Sequence, residues 1–185
     1  MSAPRGQAAH QRIIDATREI LLEGGLDAFN VEAVATASGA ARSTIYRHWP
    51  EPRDLVVETL TSMGRDFPVP DTGSLRTDLE RATAMMRPIL DDPRTRRLLL
   101  DVTRAAAEDT DLERIRQQAI SDRRQPVQLI LQRAIARGEI DPDIDMTVAM
   151  HLVEGPLMSA TVLQNLPITD EMMSSLVERI VKSLS

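Results

Sequence analysis

The chain has 185 residues, 27% charged and 42% hydrophobic, with a net charge of -6 at pH 7 and no cysteine. A chain of this length can bury roughly 70% of its unfolded surface without staples, and the missing thiols exclude a disulfide framework, a Cys/His zinc site and a cysteine nucleophile. His10, His48 and His151 stand far apart without ligand spacing, and no run reaches the roughly 20 apolar residues of a bilayer-spanning helix, so the expectation is a cytoplasmic protein without metal, cofactor or membrane contact.

Taken in order, Met1 to Ala8 is short and polar, an expected untethered terminus in which Arg5 forms a loose basic arm. From Ala9 to Glu23, Ile13, Thr17, Ile20 and Leu21 recur at helical spacing, and Gly24-Gly25 stops the helix. Asn30 reads as the N-cap of a short helix over Val31 to Ala37, followed by a Ser38-Gly39-Ala40 turn and a second short helix from Ala41 to about His48. Gly39 stands where the chain must reverse through positive φ. Pro50 and Pro52 break and restart the chain, and a connecting helix follows through Leu55, Val56, Leu60 and Met63. The Pro/Gly-rich stretch from Phe67 to Gly73 places a boundary between a head, residues 1–66, and a body, residues 67–185.

The body reads as further helices. Ser74 caps one that runs to about Asp92, kinked at Pro88, and Pro93 opens another holding Leu98, Leu99, Leu100 and Val102. A long segment from Thr110 to Arg137, bent at Pro126, ends at Gly138. Asp145 caps Met146 to about Leu163, and Thr169 caps the last helix, with Met172, Met173, Leu176, Ile180 and Val181 as its stripe. No strand-like alternation occurs, so the fold class is all-α: a three-helix helix-turn-helix head, then a helical bundle body, about nine helices in total.

At 100° per residue, the second short helix places Ala41, Thr44, Ile45, His48 and Trp49 on one side and Arg42, Ser43, Tyr46 and Arg47 on the other. An outer arc of Arg, Ser, Tyr and Arg, with nothing acidic in it, suits a phosphate-lined groove: arginine can grip a guanine edge with two bonds, and hydroxyls can donate to phosphate. The charge distribution agrees. Residues 1–65 carry seven Arg against eight acids, while 66–185 carry fifteen basic against twenty acidic residues, so the acidity sits mainly outside the head.

Phe29-Asn30-Val31, Ala35, Gly39, Thr44-Ile45-Tyr46-Arg47-His48-Trp49-Pro50 and Asp54-Leu55-Val56 together resemble the TetR family of transcriptional regulators. The resemblance covers roughly the first third of the chain. It implies that Arg42, Ser43 and Arg47 face base edges, that Thr44, Tyr46 and His48 hold the sugar-phosphate backbone, and that Asn30 belongs to the DNA-binding set. Family members often carry a lysine phosphate clamp where this chain has Pro52, so Arg53 is its candidate replacement.

Met146 to Leu163 is apolar on more than one side, which with the last helix suggests a homodimer through residues of about 145–163 and 169–183. Two heads would then read half-sites about 34–36 Å apart on a palindromic DNA operator. Met63, Met85, Met86, Leu99, Val102, Met150 and Met158 are candidates for an adaptable cavity, with His151 and Glu154 as polar contacts, for a small apolar or cationic lipophilic effector. No Ser/His/Asp grouping, Gly-rich phosphate loop or carboxylate-histidine set appears, so an enzyme is not expected. The expected function is a homodimeric, ligand-responsive regulator, read as a repressor. The alternative is a helical protein-interaction adaptor whose helix-turn-helix does not read DNA.

Overall fold

The computed structural model describes residues 5–63 and 68–184, and these form nine α-helices with no strand among them. In chain order they are α1 Arg5–Gly24, α2 Val31–Ser38, α3 Arg42–His48, α4 Pro52–Ser62, α5 Leu75–Leu90, α6 Pro93–Ala106, α7 Thr110–Ala136, α8 Met146–Met158 and α9 Asp170–Leu184. A single 3-10 turn, Leu26–Ala28, joins α1 to α2, and a π turn, Ser159–Leu163, extends α8.

Local chemistry accounts for most of the boundaries. Gly25, Gly39, Gly73 and Gly138 all take positive φ, and Gly39, at φ 67°, ends α2 in the left-handed region that its missing Cβ allows. Asp145 Oδ1 accepts from the amides of Thr147 and Val148, and Thr169 Oγ1 accepts from the amide of Met172. Two expectations need correction. Residues 5–8 are helical, because Gln7, Ala8 and Ala9 are good helix formers and nothing stops the helix before Gly24-Gly25; the basic arm expected at Arg5 lies outside the described side chains. Ser74 occupies the N-cap of α5, but its side chain makes no capping bond; the free amide of Leu75 goes instead to Glu139 Oε2 at 2.7 Å.

The chain forms two compact units, one of residues 1–65 with 97–120, the other of 66–96 with 121–185. The boundary expected at residues 66–67 falls outside the described residues, and α6 from Arg97 on, with the first part of α7 up to Ile120, groups with the head rather than with the rest of the body. In the first unit, Ile13, Ile14, Val31, Val34, Ile45, Trp49 and Leu55 make one buried cluster. Leu21, Leu22 and Val56 make a second with Leu98 and Val102 of α6. Arg97 Nη2 donates to the carbonyl of Leu22 at 2.8 Å, satisfying one of the orphan acceptors at the end of α1.

In the second unit Leu75 and Leu79 of α5, Ile130, Leu131 and Ala134 of α7, Ala149, Met150 and Val153 of α8, and Val177, Ile180 and Leu184 of α9 share one core. A buried carboxylate beside it is fully partnered. Asp78 accepts from the amide and hydroxyl of Thr72 at 2.7 and 2.8 Å and from Arg137 at 3.5 Å. The π turn leaves the Val162 carbonyl free for Arg96 Nε, which donates to it at 3.0 Å.

Contrary to expectation, one stretch among the described residues, Met146–Leu163, is long and apolar enough to cross a membrane by length and composition alone. Thr147, His151, Glu154, Ser159 and Thr161 interrupt its apolar run, so no stretch of about 20 consecutive apolar residues occurs in it. Ala149, Met150 and Val153 put one face of it into the core of the second unit.

Candidate nucleic-acid interface

The helix-turn-helix is assembled from short pieces that tertiary contacts hold in place. Asn30 Oδ1 accepts from the Ala33 amide at 2.8 Å and opens α2. After Gly39 the Ala40 amide donates to Ser38 Oγ at 3.3 Å, and Ala41 begins α3 without a side-chain cap. Seven residues are too few to be helical alone in water, so α3 depends on its anchors. Ile45 is fully buried and Trp49 is 3% exposed. The Trp49 indole N–H donates to Glu58 Oε2 at 2.7 Å, and its ring lies 4.6 Å from that of His10, which itself reaches Glu58 Oε1 at 3.2 Å.

Those anchors turn Arg42, Ser43, Tyr46 and Arg47 outward, and all four are exposed, Tyr46 at 47%. His48 is exposed beside them, with its ring 5.5 Å from those of His10 and Trp49, and Thr44 is half-buried. The side chains of Ser43, Tyr46 and Arg47 make no hydrogen bond or ion pair with any described residue, so their donors are open. Arg42 is different: its Nη1 meets Glu32 Oε1 of α2 at 2.6 Å. Arg53 is also engaged, its Nη2 3.2 Å from Asp109 Oδ2 and its Nη1 3.4 Å from Asp111 Oδ2. Asp109 caps α7 through its other oxygen, which accepts from the amides of Asp111 and Leu112, and chiefly the Leu112 bond holds this carboxyl below its usual range.

The residues expected at an effector site fall in both units. Met63 and Val102 pack in the first, where Val102 is buried and Leu99 half-buried. In the second, Met150 is buried in the core and Met85, Met86 and Met158 are half-buried. His151 is exposed, its Nδ1 2.7 Å from the Thr147 carbonyl of its own helix. Glu154 accepts from Arg124 Nε at 2.7 Å. Burial pushes the neighbouring Arg123 guanidinium below its ordinary range, and Glu154 partly offsets this. A groove of about 540 Å³ at the α6–α7 turn is lined by Glu108, Asp109, Glu113 and Arg116 among others, and none of the expected effector residues lines it.

Sequence reasoning missed Glu32, Glu58, Asp109, Asp111 and Arg124 as partners of the residues it singled out. Each lies nine or more positions from its partner, outside the reach of helical periodicity.

Residues 13–59 match the family model described as bacterial regulatory proteins, tetR family. Residues 69–180 match the one described as tetracyclin repressor-like, C-terminal domain. Among relatives, the chain is 30% identical to the DNA-binding transcriptional repressor TetR of Mycobacteroides abscessus, covering 96% of this chain and 94% of that one. It is 28% identical to the HTH-type transcriptional regulator YdeS of Bacillus subtilis over 98% of this chain and 92% of that one. Of solved structures, the TetR family transcription regulator SCO0332 superposes with a TM-score of 0.72 at 25% identity over 96% and 98% of the two chains. FadR from Bacillus subtilis, in complex with stearoyl-CoA, gives 0.70 at 18% identity over 95% of this chain and 100% of that one. Both family models, relatives matched over nearly the whole length and an outward basic face on α3 agree: the chain belongs to the TetR family of transcriptional regulators, with a helix-turn-helix DNA-binding domain.

Proposed function

We propose that the protein is a homodimeric repressor that binds a palindromic operator through α3 and is released by a small-molecule effector. Residues 1–66 form the DNA-binding domain and 67–185 the effector and dimerisation domain. The observation that carries this reading is the exposed, acid-free arc of Arg42, Ser43, Tyr46 and Arg47 on a helix pinned by Ile45 and Trp49. Arg42, Ser43 and Arg47 read base edges; Thr44, Tyr46, His48 and Arg53 hold phosphates, and Asn30 fixes the start of α2 against the backbone. The repressor role is supported by the name of the Mycobacteroides relative. A bacterial DNA-binding regulator works where the chromosome is, in the cytoplasm.

Homodimerisation is supported by apolar side chains left in solvent on α8 and just after it. Val148 is 52% exposed, Leu152 37%, Leu163 73% and Leu166 48%, and a second copy placed over residues 145–163 and 169–183 removes them from water. Dimerisation also converts a weak single contact into a specific one over two half-sites. For the effector, Met85, Met86, Met150 and Met158 of the second unit remain the proposed apolar lining, with His151 and Glu154 as the polar contacts. Because Glu154 is already paired with Arg124, an apolar ligand suits this set better than a cationic one. FadR, a fold neighbour crystallised with stearoyl-CoA, is compatible with a long apolar effector.

The test is an electrophoretic mobility shift against DNA upstream of the protein's own gene, repeated with a panel of lipophilic compounds. Retarded DNA that one compound class releases supports the reading. One observation favours the adaptor instead, the engagement of Arg53 by two aspartates. Absence of any shift at low salt, with the protein folded, would decide for the adaptor.

A further inference from the structure

Arg42 opens α3, and its guanidinium is not free. Its Nη1 donates to Glu32 Oε1 at 2.6 Å, with the two side chains 63% and 75% exposed. Glu32 stands in the first turn of α2, a helix fixed at its start by the Asn30 cap and buried through Val31 and Val34. Neither side chain has another partner among the described residues. The carboxylate is therefore carried on the head's own scaffold, against the arginine proposed to read a base.

The contact is made through one nitrogen, which leaves four of the five guanidinium N–H groups open, together with the second carboxylate oxygen. Side by side, the pair presents donors and an acceptor. In the major groove guanine offers two acceptors, N7 and O6, while cytosine and adenine offer amino donors; thymine offers an acceptor, and the flanking phosphates offer only negative charge. A neutral donor-acceptor pair matches guanine beside an amino group and carries no net charge to attract a bare phosphate.

We infer that Glu32 is a specificity-determining positioning residue, which holds Arg42 for a guanine with a neighbouring amino group and withholds its charge from random DNA. The inference rests on Arg42 reading a base. On non-cognate DNA, Arg42 stays paired with Glu32 and releases no counterion. On the cognate site the guanidinium fork takes N7 and O6, and the free carboxylate oxygen accepts from cytosine N4 or adenine N6.

The experiment selects preferred duplexes from a random DNA pool. It then titrates one selected and one random duplex across a salt series with wild-type protein, Glu32→Gln, Glu32→Ala, Arg42→Ala and the Glu32→Ala/Arg42→Ala double variant. Glu32→Gln keeps the size of an exposed side chain, and circular dichroism verifies that each variant is folded. Removing the carboxylate is expected to tighten random-duplex binding by roughly 1.5- to 5-fold, the scale of an exposed ion pair. It should also steepen the log-log salt slope by about one and lower the preference for guanine at one position. In the Arg42→Ala background, Glu32→Ala should leave the salt slope and the base preference unchanged, and any tightening that remains is the general effect of one fewer negative charge. If Arg42→Ala relaxes one base position but Glu32→Gln leaves slope, random affinity and base preference unchanged, the inference is overturned and the reading of Arg42 stands. Equal weakening of selected and random DNA by Arg42→Ala removes both.

Discussion

The Arg53 contact gives the most direct measure of how the head meets the DNA backbone. If Arg53 replaces the lysine clamp, a phosphate must compete for its guanidinium with Asp109 and Asp111, which it now holds at 3.2 and 3.4 Å. Substituting Asp109→Asn and Asp111→Asn removes the competitor and keeps a side chain at residue 109 able to cap α7. Both pairs are largely exposed, so each is weak, and the expected tightening on any duplex at low salt is up to about tenfold. Arg53→Ala is expected to weaken all sequences alike and to flatten the log-log salt slope by up to about 0.9, one phosphate contact. Between 50 and 200 mM salt, a change of that size means roughly 3.5-fold less affinity lost. Fluorescence anisotropy of labelled duplexes over that range measures both effects. Because two fewer negative charges attract DNA from any position, the deciding variant combines Asp109→Asn and Asp111→Asn with Arg53→Ala. Tightening that persists without Arg53 would refute the competition, and an unchanged slope for Arg53→Ala would mean that the clamp is lost.

Arg42→Ala should cost about 1–3 kcal/mol on the selected operator and little on random DNA, read by competition titration; equal losses on both would count against base reading. Ile45→Ala should destabilise the head by about 2–5 kcal/mol in a urea titration followed by circular dichroism, since Ile45 is fully buried; a loss well under 1 kcal/mol would mean that α3 is held elsewhere. Leu152→Glu with Leu163→Glu should shift sedimentation equilibrium toward monomer. Covering the exposed part of Leu163 alone is worth roughly 1–2 kcal/mol, and an undisturbed dimer mass would place the interface on another face. Glu113, held near a pKa of about 2 by hydrogen bonds from Arg116 and Gln117, stabilises the start of α7 above its ordinary value of 4.5. Because its folded pKa is lowered, that contribution is lost as pH falls from about 4.5 toward 2. Carboxyl NMR should show it titrating at the low end, and Arg116→Ala should raise the midpoint.

Features set by neighbouring residues were legible in the sequence. Asn30, Gly39, Gly138, Asp145 and Thr169 act through bonds or dihedrals within a few positions, and all do what turn chemistry predicts. The split of α3 into an anchored and an exposed side follows from its period, with Ile45 and Trp49 inward and Arg42, Ser43, Tyr46 and Arg47 outward. Partners supplied from afar were not legible. The Leu75 amide chooses Glu139 over the adjacent Ser74, which no local rule anticipates. Leu98 and Val102 announce an apolar stripe without saying that it packs on Leu21, Leu22 and Val56 of the head. The carboxylates facing Arg42 and Arg53 come from other helices, and a charge arc read along one helix cannot show what neutralises it.

Trp49 is the only indole in the chain, and it stands where three helices of the head converge, its N–H bonded to Glu58 of α4 and its ring packed at a tilt against His10 of α1. Its emission spectrum therefore belongs to a single joint. A sideways slip of α4 against α3 would break the Glu58 bond and change the wavelength and lifetime of that light. The molecule carries a built-in optical gauge, with which candidate effectors can be screened for movement of the head without attaching a dye.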